Sequence, residues 1–198
     1  MGRPNKANSL SRQAVIASAI ACIDQRGASA LGVSQVARAV GIKPPAIYKH
    51  FKNGADLQRA TVIELWRQYL TECQKTIAGR PMTQDLLKQL GQFPRQFAKA
   101  YPARYQVMMQ VQLHPSNPES NAIIQQLLSF LQQALDAYDL SDTQLIDVMR
   151  MVNAAIYGFI AVEQAGLMTL ERSPDQSYEV MLDALITSIS HIQQQNSG

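Results

Sequence analysis

The stretch GVSQVARAVGIKPPAIYKHFKN, residues 32–53, sets two adjacent prolines between two short helical patterns in a chain otherwise rich in helix formers. Val33, Val36, Ala37 and Val40 recur at i, i+3, i+4 and i+7, which predicts a short helix over 33–40 with its apolar face inward. Gly41 follows at once, and a glycine there can take the positive φ that a tight turn between two helices demands. Ile42 then re-enters the core. Pro44 and Pro45 open a third helix over 44–51, because a proline in the first turn forfeits no helical hydrogen bond and has its φ already set. Ile47 and Phe51, at i and i+4, turn inward, so the opposite surface presents Pro45, Ala46, Tyr48, Lys49 and Lys52, with Lys43 just ahead of the first turn.

Upstream, Ser11 is placed to cap a helix reaching Arg26, with Gly27 to end it. The N-terminal run imitates a secretory leader, but its apolar part, AVIASAIACI, holds four alanines and a serine. It sets Ile16, Ala19, Ile20 and Ile23 on one face, so it reads as the first helix instead. An acylation signal is not expected, since Lys6 stands where Ser or Thr is needed. No apolar run approaches the roughly 18 residues of a membrane span. Cys22 and Cys73 form neither a metal-ligand spacing nor a disulfide framework, which fits a reducing, cytoplasmic setting.

At 198 residues and 46% hydrophobic, with no sustained period-two alternation, the chain reads as all-α. Its net charge of +3 is unevenly spread. Residues 1–52 carry Arg3, Lys6, Arg12, Arg26, Arg38, Lys43, Lys49 and Lys52 against Asp24 alone, a net +7, while the remainder carries ten basic and fourteen acidic residues, a net −4. A basic head on a mildly acidic body is the footprint of nucleic-acid binding, although a merely solvated basic face gives the same sum. Two short helices joined by a glycine turn and backed by a longer one match the helix-turn-helix, whose second helix enters the major groove. A proline-initiated helix end is also expected to bring free backbone N–H groups toward phosphate.

LGVSQVARAVGIKPPAIYKHFKNGADL, within residues 10–60, resembles the DNA-binding domain of the tetracycline-repressor (TetR) family of bacterial transcriptional regulators. AIYKHFKNGADL is the most specific part, with its Tyr, one residue, His, aromatic, basic order. The resemblance implies that Tyr48 and Lys52 contact phosphates and that Lys43, Pro44, Pro45, Ala46 and Lys49 form or open the base-reading end. Pro45 and Ala46 offer apolar contact to a thymine methyl and Lys49 reaches guanine acceptors. Gly32 departs from the family's capping Thr and Lys43 from its Ser; glycine still tolerates an N-cap, and Lys43 shifts the operator sequence or adds a phosphate contact. His50, between Lys49 and Phe51, reads as a packing or capping residue.

The body continues as helices over 55–77, 84–100 with Pro94 bending it, 103–113, 119–137, 143–168 after a capping Ser141 or Asp142, and 175–194. The division expected is a head of residues 1–53 and a helical effector-binding and dimerisation domain of residues 54–198. The last two helices expose more apolar surface than so small a body buries, suggesting a subunit interface, and the family resemblance implies a homodimer through them and a palindromic operator. Trp66, Tyr69, Phe93, Phe97, Tyr101, Tyr105, Met108 and Met109 are each read first as core, and together as a set able to line an apolar small-molecule pocket. FAKAYPARYQVMM with NAAIYGFIAVEQAGLM resembles the regulatory domain of a TetR subgroup with a Trp-His-Gly signature, here Ile156-Tyr157-Gly158, so only the glycine is kept. Tyr157 and an inward Glu163 are the polar groups expected in that pocket.

An enzyme is not expected: His50, His114 and His191 are isolated, no cluster has metal-ligand spacing and no glycine loop cradles phosphate, so neither metal nor cofactor is called for. The expectation is a DNA-binding regulator, with repression and effector-driven release implied by the family. The alternative is a helical small-ligand carrier or interaction module whose basic face binds nucleic acid without specificity.

Overall fold

In the computed structural model, which describes residues 11–194, Ser11 Oγ accepts the Ala14 N–H at 3.1 Å and so starts α1 (Arg12–Arg26). Gly27, at φ 85°, ends it by donating to Ile23 O at 2.8 Å. Arg3, Lys6 and the acylation reading lie outside the described residues, as does the start of the leader-like run, whose apolar part, residues 14–23, lies in α1. After a 3-10 turn at Ala28–Ala30 come α2 (Val33–Ala39), α3 (Pro44–Ile47), α4 (Gly54–Ile77), α5 (Gln84–Ala100) and α6 (Pro102–Gln110). They are followed by α7 (Pro118–Leu135), a 3-10 turn at Asp136–Tyr138, α8 (Asp142–Gln164) and α9 (Pro174–Gln194). No strand occurs among the described residues.

The chain divides into two compact units, Met1–Tyr69 with Tyr101–Ile123, and Leu70–Ala100 with Ile124–Gly198. In the first, α1 buries Val15, Ile16, Ala19, Ile20, Cys22 and Ile23 and packs on α2 and α6. Gln58 of α4 donates to Leu31 O at 3.2 Å. These contacts carry the first unit past residue 53: α6 covers part of the apolar face of α1, and Gln58 ties the start of α4 to the chain just before α2.

In the second unit α5, α8 and α9 pack on one another. Val148 of α8, Ile189 of α9, Leu135 and Tyr138 form a buried cluster there. Ser141, not Asp142, caps α8 in a reciprocal box with Gln144, whose side-chain amide also donates to Ile192 O at 2.8 Å near the end of α9. Pro94 sits inside α5 and removes the N–H that Leu90 would have received. Gly91, one turn earlier, admits α9 closely: a Cβ there would meet Leu182 Cδ2 at 2.7 Å, and Tyr178 OH donates to Gly91 O at 2.7 Å.

Asp142–Gln164 is long and apolar enough to cross a membrane by length and composition alone. It holds together as a span only on average, since Asn153, Tyr157, Gly158 and Glu163 interrupt its apolar side chains, and it packs on α5 and α9.

Candidate nucleic-acid interface

The turn between α2 and α3 is fixed by backbone chemistry. Gly41, at φ 70°, donates to Arg38 O at 3.2 Å, and Ile42 donates to Ala37 O at 3.0 Å, the paired bonds that close a helix on a left-handed residue. No atom lies within 4 Å of where a Cβ would sit on Gly41, so its φ, rather than space, requires glycine. Gly32 caps α2 without a side chain, in the extended region.

α3 is shorter than the 44–51 expected. Regular helix ends at Ile47, and the chain continues as a turn in which His50 and Phe51 both donate to Ile47 O, at 3.0 and 3.2 Å. Free N–H groups at its start are also absent: Pro44 and Pro45 have none, and the Ala46 N–H is used by Lys43 O at 2.9 Å. Anion binding here therefore falls to side chains.

Those side chains are placed as the pattern requires. Ile47 and Phe51 are buried, which turns Tyr48, 52% exposed, outward. Lys43, Pro44, Pro45, Lys49 and Lys52 are exposed and Ala46 half-buried. His50 meets Phe51 edge-on at 6.5 Å, a packing role. The segment is then tied to α4, since the Lys52 N–H donates to Asp56 Oδ2 at 2.8 Å and the Asp56 N–H to Asn53 Oδ1 at 2.9 Å, with Arg59 also on Asp56. Asp56 was missed by sequence reasoning, although Asn53 and Asp56 stand at capping-box spacing.

Elsewhere in this unit Arg12 pairs with Glu119, Arg67 with Glu64 and Arg104 with Asp24, while Arg26 is exposed at the end of α1. Among the described residues, Arg38, Lys43, Lys49 and Lys52 have no carboxylate partner. Four exposed cations around α2 and α3 are thus left to attract polyanions.

The eight pocket candidates divide between the units. In the first, Trp66 and Tyr69 are half-buried and meet edge-to-face at 5.4 Å. Tyr101 is 46% exposed under the Arg104 guanidinium at 4.8 Å, and Met109 is exposed. Tyr105 is buried, which pushes its phenol up to about 12. In the second, Phe97 and Tyr157 are half-buried, and Phe97 lies 6.4 Å from Phe93.

Glu163 turns inward, onto Arg95, which sequence reasoning did not single out. Arg95 Nε and Nη2 donate to its two oxygens at 2.7 and 2.5 Å, and Nη2 also reaches Asp175 at 2.6 Å. The Arg95 side chain is 7% exposed and lies over the Tyr178 and Phe159 rings, at 4.9 and 5.6 Å. Lys99 Nζ adds a 3.0 Å bond to Asp175. The guanidinium holds the Glu163 carboxyl below the usual glutamate value, and Lys99 followed by Arg95 lowers Asp175. A lone arginine on a helical pattern gives no signal that it is buried.

Two family models match the chain. The model described as bacterial regulatory proteins, tetR family, covers residues 15–61, and the tetracyclin repressor-like C-terminal domain covers residues 87–185, half of the chain. A relative from Mycobacterium tuberculosis, described as an uncharacterized HTH-type transcriptional regulator, is 27% identical over 85% of this chain and 75% of its own. A substituted TetR from Acinetobacter baumannii, solved with minocycline, shares the fold at TM-score 0.68 and 19% identity, covering 93% of this chain and 98% of that one. Bacillus subtilis FadR, solved with stearoyl-CoA, does so at TM-score 0.64 and 15% identity, covering 92% and 99%.

Proposed function

Because the chain belongs to the tetracycline-repressor family of transcriptional regulators, we propose that it is a repressor that binds a palindromic operator as a homodimer in the cytoplasm and leaves it when a small molecule binds. In this reading residues 1–53 bind DNA and residues 54–198 bind effector and dimerise. The observation that carries it is the set of unpartnered cations beside an outward Tyr48 on a turn that Gly41 and Asp56 hold in place. Tyr48 and Lys52 take phosphates; Lys43, Pro44, Pro45, Ala46 and Lys49 meet base edges.

Dimerisation is supported by what α8 and α9 leave uncovered. Only 17% of the apolar window of α8 is buried within one chain. Ala154, Gly158, Ala161 and Ala165 are exposed at i, i+4, i+7 and i+11, with Ile146 and Val162 exposed on the same helix and Val180 on α9. Small side chains let helix backbones approach closely, so this strip suits the family's bundle of paired last helices. Gly158 is also the residue kept from the Trp-His-Gly signature, and we assign the regulatory domain to that subgroup. Trp66, Tyr69, Phe97, Tyr101, Tyr105, Met109 and Tyr157 favour an effector with an apolar body.

The test is selection of bound fragments from the source genome with purified protein at near-physiological salt. One palindrome beside a few genes is the expected result. Unrelated fragments, bound with no sequence in common, would leave only a non-specific basic face.

A further inference from the structure

We propose that ion pairs at the two ends of α1 set the orientation of the recognition segment, with Arg104 and Asp24 as its chief positioning residues. At the last turn of α1, Arg104 Nε and Nη2 donate to Asp24 Oδ1 and Oδ2, both at 2.6 Å. A planar two-bond fork restricts the rotation of α6 against α1 as well as the distance between them. The Arg104 guanidinium is itself seated on the Tyr101 ring at 4.8 Å, and the Asp24 carboxylate raises the Arg104 pKa above its ordinary value.

At the first turn of α1, Arg12 Nη2 reaches Glu119 Oε2 at 3.0 Å, and the same guanidinium lies 5.2 Å over the ring of Phe51. Phe51 closes the segment that presents Tyr48 and Lys49. The chain enters and leaves this unit at Tyr101 and Ile123, so Arg104 and Glu119 sit on the segment that returns from the second unit and goes back to it. A displacement of α6 therefore reaches the last turn of α1 through Arg104, and one of the start of α7 reaches its first turn and, through Arg12, Phe51. The Arg104–Asp24 pair, with side chains 21% and 36% exposed, is the better shielded; Arg12–Glu119, at 39% and 52%, is the weaker partner. Neither pair touches the DNA-facing residues, so the brace governs where the head points and not how well it binds.

This inference rests on the dimeric operator-binding reading, and the experiment separates the two. Affinity is measured for the selected palindrome, for versions with one or two base pairs inserted or removed at its centre, and for an isolated half-site. Wild-type binding to the palindrome reports on the regulator reading; the difference between wild type and variants reports on the brace. Asp24→Asn and Arg104→Gln are each expected to reduce discrimination between spacings about 5- to 10-fold, within the usual range of coupling between sites, with half-site affinity unchanged. Arg104→Lys, which keeps the charge without the fork, should fall between, and Asp24→Arg combined with Arg104→Asp should restore the preference. Unchanged discrimination in both single variants would overturn the proposal. So would a loss of half-site affinity equal to the loss on the palindrome, or a swap that recovers the melting temperature but not the spacing preference.

Discussion

Around α2 and α3, Arg38, Lys43, Lys49 and Lys52 stand exposed with no carboxylate in reach among the described residues, whereas in the second unit Arg95 is buried under two aromatic rings and gripped by Glu163 and Asp175. The same kind of charge does opposite work in the two places. An unpaired cation in water contributes almost nothing to folding and keeps its full attraction for a phosphate. A desolvated guanidinium costs several kcal/mol per ion unless its partners are in place, so it commits α5, α8 and α9 to one arrangement. Substitutions in the first set should therefore change DNA binding without stability, and those in the second the reverse.

The largest effect is expected at Glu163. Its removal in Glu163→Ala leaves Arg95 buried with only the exposed Asp175, and should destabilise the protein by about 3 kcal/mol. At fixed protein concentration that is a fall of roughly 10 °C in Tm for a chain of this size. Acid should act the same way. Glu163 and Asp175 are lowered from ordinary values of 4.5 and 3.8, so their stabilisation is full above those values and is lost as pH falls through the lower folded ones. Glu163→Gln should flatten the decline of stability below about pH 4.5 in denaturant titrations at stepped pH. A parallel decline in wild type and variant would show that the pair does not hold the unit.

The unpaired set should show the converse. Lys49→Ala is expected to lower operator affinity about tenfold and relax preference at one base position, as the loss of a base-edge contact does. Lys52→Ala should weaken all duplexes alike and reduce the slope of log affinity against log salt by about 1, and Tyr48→Phe should weaken them alike to a smaller degree. Melting temperatures should stay unchanged for all three. An unaltered salt slope in Lys52→Ala would remove that residue from the phosphate contacts.

These two sets were unequally legible in the sequence. The head could be read because its determinants are local: the 3.6 period over 33–40, a glycine in the turn and prolines at a helix start each act through the nearest few residues. Even there, α3 ran shorter than expected, since the Ala46 N–H turns back to Lys43 O and the chain after Ile47 turns toward the Asn53 cap. The body's helices were legible as periods but not as contacts. Arg95 finds Glu163 and Asp175 far along the chain, on α8 and at the start of α9, and no spacing records such a meeting. Glu163, expected among pocket-lining groups, is bonded to Arg95 for that reason.

The smallest effect tests the face for which neither set of charges speaks. Gly158 lies within α8, exposed, with nothing within 4 Å of where a Cβ would be, so within one chain an alanine there has room. On helix propensity alone Gly158→Ala should stabilise the chain by somewhat under about 1 kcal/mol. If two copies pack α8 against α8 across a two-fold axis, the added methyl instead meets the partner's helix, and the dimer should dissociate at lower dilution while the monomer's denaturant midpoint rises. Sedimentation at stepped concentrations, read beside urea unfolding, distinguishes the two. A variant both more stable and equally dimeric would show that Gly158 faces solvent, and would move the interface to the exposed Val180 side of α9.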